Sequence, residues 1–188
     1  MCIRDSIYIV PTAGRLMVQH VSDGSLIYLL AAPVGRRRIA NTQMMVLLTG
    51  TGGLMLLSGA ITWFFCLLLF PRELDLAWYG ILHLAYFCVQ LAIAGFCFFV
   101  SCYANHKGRY YAVSLEILAL FYLLSMLSRL GGPLAWFRCL TPFSLFDPVR
   151  IVMGEETWPL ILPLLLAAVG ILLFHMGAAH FRKRNLSI

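Results

Sequence analysis

The sequence predicts an all-α, polytopic transmembrane helical bundle. It comprises four full spans, an N-terminal partial span, a short helix at the cytoplasmic surface and an outer re-entrant hairpin. Three observations predict it. The 188 residues are 61% hydrophobic and only 12% charged, where an ordinary soluble domain carries about 25% charged residues. Apolar runs recur at 44–70, 79–103, 110–127 and 159–181, and about 20 apolar residues suffice to cross roughly 30 Å of hydrocarbon. Basic residues also alternate by connection. With Arg4 set aside, nine Lys and Arg fall in the proposed inner segments (Arg15, Arg36, Arg37, Arg38, Lys107, Arg109, Arg182, Lys183, Arg184) and four in the outer ones (Arg72, Arg129, Arg138, Arg150). Inner loops enriched in Lys and Arg are the rule for membrane proteins. The +6 formal charge is therefore read as topological anchoring and not as a nucleic-acid footprint.

The first six residues, MCIRDS, match the translation of a sequencing-adaptor end (ATG TGT ATA AGA GAC AG plus one base). They are set aside from the fold, and natural sequence is expected from Ile7 within one membrane domain, 7–188. Residues 7–21 carry apolar side chains at Ile7, Val10, Met17, Val18 and Val21, interrupted by Arg15 and Gln19. They read as the cytoplasmic end of a membrane helix.

Ser22 to Arg38 reads SDGSLIYLLAAPVGRRR. Ser22 or Asp23 is placed to cap a helix by accepting from the free N–H groups of its first turn. Leu26 to Leu30 supply an apolar body, and Pro33 with Gly35 stops it. So short a helix does not hold alone in water and must dock on something. The bland reading of this stretch is an interfacial amphipathic helix with a basic anchor.

Met44 to Phe70 is 27 residues without a charge. Gly50, Gly52, Gly53, Ser58 and Gly59 give it a face of small residues suited to close helix packing. TGTGG is not a phosphate loop, since the Lys and Ser/Thr of GxxxxGK[ST] are absent. The second span ends in aromatic residues at the interfaces, and the inner turn ANHKGR follows. Residues 110–127 carry one charge, Glu116. A carboxylate inside a span is a functional candidate by default. Its structural alternative is a pair with Lys107 or Arg109, or a hydrogen bond across a subunit interface. Residues 129–158 are too apolar for a solvated loop and too broken by Pro133, Pro142, Pro148 and Gly154 to span, so they are read as re-entrant.

No catalytic or metal motif emerges. The six cysteines are scattered with no CxxC pair, and no GxSxG motif precedes a histidine. His175 and His180 are five apart and do not share a helix face. A bis-histidine haem would need facing helices, for instance His83 with His175.

The segment DGSLIYLLAAPVGRRRIANTQ (Asp23–Gln43) resembles the coupling-helix region of ABC-2 type transporter permeases. LTPFSLFDP (Leu140–Pro148) is similar to that family's outer motif before the last helix, and HFRKRNLSI resembles its basic ending. The resemblance covers nearly the whole chain after Ile7. It implies a membrane-spanning, non-enzymatic permease subunit in a bacterial plasma membrane, with a cytoplasmic C-terminus and an N-terminus lacking one complete helix and most of a second. It further implies a separate ATP-binding subunit that binds ATP and Mg and hydrolyses the ATP, a second permease subunit (the same or different), and usually export. The residues it assigns to ATPase coupling are Asp23, Gly24, Ser25, Leu26, Tyr28, Leu29, Leu30, Pro33 and Arg36, with Glu116 as a translocation or structural position. This chain itself is expected to carry no cofactor and to bind lipid but no nucleic acid. The alternative from another class is a membrane redox or enzymatic protein such as a b-type cytochrome subunit.

Overall fold

A computed structural model describes residues 2–24, 35–69, 76–128, 141–145 and 158–183. All of the described elements are helical. The chain opens with α1 (Cys2–Ala13), a π-helical segment (Gly14–Val18) and α2 (Gln19–Ser22), which run on without a break. Then follow α3 (Arg36–Leu69), α4 (Leu76–Tyr103), α5 (Lys107–Ser128), the short α6 (Pro142–Leu145) and α7 (Trp158–Lys183). Four of these, α3, α4, α5 and α7, are long and apolar enough to cross a membrane, as the four apolar runs require.

One boundary differs from expectation. The first full span begins at Arg36 and not near Met44, because the Gly35 carbonyl accepts from Arg38 and Ile39 and opens the helix there. The three arginines thus form its first turn. Cations at a helix N-terminus oppose the helix dipole, so the three arginines do not stabilise this helix start. At 1.5 Å per residue the 34-residue helix is about 51 Å long, more than the hydrocarbon core needs.

The centre of the bundle is α4. In its span 67% of residues are buried, against 11–28% in the other three. Its main partner is α7, and the two run parallel. Gly170 lies against Ala92 and Gly95, Phe174 against Phe98 with ring centroids 5.2 Å apart, and His180 against Tyr103. The crossing is a backbone-to-backbone contact: a Cβ added at Gly170 would stand 2.8 Å from the Ala92 Cα. Small residues permit such approach, and between membrane helices packing is the main attraction.

The expected partial span is a fully integrated helix. Ile9, Val10, Ala13, Met17 and Val18 are all buried in one cluster with Val89, Ile93, Cys97 and Tyr110. Pro11 has no N–H to give the helix, and three residues later the bonding widens to the π pattern. At this point Tyr110 of α5 is inserted. Its ring occupies the space a side chain at Gly14 would need, and its hydroxyl donates to the Val10 carbonyl at 2.7 Å. Residues 2–6 continue α1 in this chain, with Asp5 buried beside Tyr86 and Gln90.

The expected packing face of α3 performs a different task. Gly50 accommodates the Tyr8 hydroxyl and Gly59 the His83 ring, while nothing lies within 4 Å of a Cβ at Gly53. These glycines receive side chains, whereas the close helix crossing belongs to Gly95 and Gly170. Of the outer segment, 141–145 is described. Thr141 and Phe143 are buried, so this turn rests on protein. Residues 129–140 and 146–157 lie outside the described set.

Candidate functional site

The described ends of the helices gather the basic residues at one end of the bundle. The side chains of Arg15, Arg37, Arg38, Lys107, Arg109 and Arg182 lie there or within about two turns of it. All but Lys107 are exposed, and Lys107 is half-buried. The residues bordering the stretch singled out in the sequence emerge at this end. Ser22 closes α2, and the Asp23 N–H donates to the Gln19 carbonyl at 2.9 Å. Gly24 then takes φ +69°, a left-handed turn that glycine enters without a Cβ penalty. Asp23 therefore ends the preceding helix. The N–H groups from Ser25 on, which Ser22 or Asp23 is expected to cap, lie outside the described set. The Asp23 carboxylate is turned to the Lys107 ammonium at 2.6 Å. That pair is nearly half exposed on both sides and contributes at most about 1 kcal/mol. It does tie the end of α2 to the start of α5.

On the other side Gly35 and the backbone of Arg36 begin α3. Ser25, Leu26, Tyr28, Leu29, Leu30 and Pro33 lie outside the described residues. The two described flanks of the stretch thus lie at the same, basic end.

Glu116 stands apart from this group. It is exposed on α5, nine residues or about 14 Å from the start of that helix. The expected pair with Lys107 does not form, because Lys107 is taken by Asp23. Among the described residues no ion pair joins Glu116 to Arg109 either. A carboxylate that faces lipid at mid-span costs about 2.5–3.5 kcal/mol, and among the described residues nothing covers this face of α5 at Glu116.

Two polar groups lie between the helices. Gln90 Nε2 donates to the Tyr86 hydroxyl at 2.7 Å and approaches Asp5 at 3.3 Å, with the Tyr86 hydroxyl donating to the Asp5 carboxylate. Nearer the other end, the Tyr79 hydroxyl donates to the Gly59 carbonyl at 2.6 Å and sits 3.4 Å from His83 Nε2. His83 and His175 are not brought together. Because Gly170 faces Ala92 and Gly177 faces Phe98, His175 is level with residues near 97. That is about 20 Å along the axis from His83, too far for both to bind one haem iron within a chain. Among the described residues no cluster of three His, Cys, Asp or Glu side chains gathers.

Sequence reasoning missed the Tyr110–Gly14 insertion and the α4–α7 crossing. The second had a signal: Gly170 and Gly177 are seven apart and so share a helix face. Comparison with known proteins adds no assignment: no family model, no curated protein and no solved structure matches the chain.

Proposed function

We propose that this chain is the permease subunit of an ABC-2 type transporter, coupled to a separate ATPase and paired with a second permease. The observation that carries the reading is the placement of the stretch between Gly24 and Gly35, whose two ends emerge together beside the arginines. A sequence that is apolar between two flanks at that surface is suited to a soluble partner. The basic end is then the cytoplasmic one, which puts the C-terminus inside.

In this reading the ATPases draw together on binding ATP and push the Ser22–Pro33 segment. The push enters the bundle on two sides. It reaches α1 and α2 through Ser22, and α3 through Gly35 and Arg36. The Asp23–Lys107 pair carries it to α5 as well. Coupling requires that the segment contact the ATPase differently in its two states. The second permease would cover α5 and give Glu116 a polar neighbour. The resemblance supplies the expectation of export; the residues supply no substrate.

The test is ATPase capture from the native membranes. A buried unpaired carboxylate costs several kcal/mol and each 1.4 kcal/mol is tenfold in affinity, so Leu29→Asp or Leu30→Asp, whichever faces the partner, should lower capture on the order of a hundredfold. Arg37→Ala, which removes about 1 kcal/mol of leaflet attraction, should change it far less. Wild-type capture by both aspartate variants, or no ATPase with the unaltered protein, refutes the coupling assignment.

A further inference from the structure

We propose that a groove between α3 and α4 holds one acyl chain of a bilayer lipid, in the leaflet away from the basic end. The inference requires only that the helices span a membrane and is independent of the transport reading. The groove has a volume of about 630 Å³, within the ~300–1,000 Å³ of small-molecule sites. Gly52, Met55, Gly59 and Ala60 form one wall, and Gly80 and Phe87 belong to the other.

Three features select the occupant. The first is length. From Gly52 to Trp63 the groove follows eleven residues of α3, about 16 Å, which is one leaflet of a ~30 Å hydrocarbon core. The second is the lining. Gly52, Gly59, Ala60 and Gly80 leave the space between the helices open, and Met55, Leu56, Leu84 and Phe87 offer an extended hydrocarbon chain apolar contact along its length. The third is chemistry. The Tyr79 proton is donated to the Gly59 carbonyl, the remaining Tyr79 oxygen capacity faces His83 Nε2, and His83 Nδ1 is covered. Apart from the Trp63 indole at the far end, the wall's remaining side chains are apolar, so along its length the groove offers little to a polar solute. Trp63 and Tyr79 at its far end are residue types that sit at the headgroup level.

Ala60 is exposed toward the groove, so Ala60→Phe fills the space without entering the helix crossing. Leu172→Phe, on the lipid-facing side of α7, is the control. Each protein is extracted in mild detergent, washed, and its phospholipid counted by mass spectrometry. A phospholipid with a photoactivatable diazirine on its acyl chain is crosslinked in parallel. The unaltered protein and Leu172→Phe should keep a stoichiometric phospholipid and crosslink in peptides spanning 52–63 or 79–87. Ala60→Phe should lose both several-fold. If Ala60→Phe does not elute as a folded species, Gly80→Leu, where a Cβ meets open space, decides in its place. Equal lipid in the filled variant overturns the proposal. So do crosslinks spread evenly over all helices, no retained lipid, or a dimer of the unaltered protein that Ala60→Phe converts to monomer on elution.

Discussion

The α4–α7 crossing predicts a graded response to single methyl groups. At Gly170 an added Cβ lies 2.7 Å from the Leu91 carbonyl oxygen and 2.8 Å from the Ala92 Cα, where ordinary contact begins at 3.4 Å. Both obstacles are backbone, which cannot rotate away as a side chain tip can. The helices must therefore part by about 0.6 Å or more, and a gap of 0.5–1 Å forfeits about a quarter to a half of each dispersion contact along the seam. Overpacking of this kind costs about 1–3 kcal/mol, against about 0.5–1 kcal/mol gained when Ala replaces Gly in a helix. At Gly53, where a Cβ meets nothing within 4 Å, only the gain applies. Gly177, with its nearest atoms at 3.2 Å, falls between. Gly170→Ala should unfold below Gly53→Ala by about 4–8 °C, taking a difference of ~2 kcal/mol and 2–4 °C per kcal/mol for a chain this long. The assay is the thermal midpoint of the purified protein in one detergent, with Gly177→Ala as the intermediate case. Equal midpoints for the Gly170 and Gly53 variants would refute the argument that backbone contact holds this pair.

Two further outcomes follow from the same contacts. Tyr110→Phe keeps the buried ring and removes the hydroxyl that reaches the Val10 carbonyl. It should cost about 0.5–1.5 kcal/mol in the same melting assay, and no loss would mean that the carbonyl finds another donor. Glu116→Gln should leave the melting of the single chain within about 0.5 kcal/mol, since the side chain is exposed, but under the proposed pairing it should lower the fraction of crosslinked dimer. Unchanged pairing removes Glu116 from the interface.

Which segments become helices was legible in the sequence; which helix forms the centre was not. The apolar runs at 44–70, 79–103, 110–127 and 159–181 all appear as helices, displaced by a few residues except where Gly35 starts α3 early. In water, burial leaves an apolar stripe that gives away the inner face. In a bilayer the lipid tails are as apolar as leucine, so Leu56 and Leu57 facing outward on α3 and Ile93 facing inward on α4 look alike in sequence. Small residues carry the remaining signal, and they are ambiguous. The glycines at 50–59 read as a helix seam yet receive Tyr8 and His83, while the lone Gly95 marks the true seam. Of the candidate site, the basic end was legible from charge alone. The pairing of Asp23 with Lys107, and with it the exposure of Glu116, was not, because it depends on how the helix ends meet in space.

The parallel pairing of α4 with α7 also sets an order for making the protein. Gly95 and Gly170 are 75 residues apart in the chain, so at about 5–20 residues per second α4 waits roughly 4–15 s after it is made before its main partner emerges. During that interval its glycine seam faces lipid or earlier helices, and the bundle has no closed centre. Closure of this centre therefore waits for α7: its insertion gives α4 the partner on which the described bundle is built. A nascent chain stalled before residue 170 should be a substrate for membrane quality control even though each of its helices has already inserted.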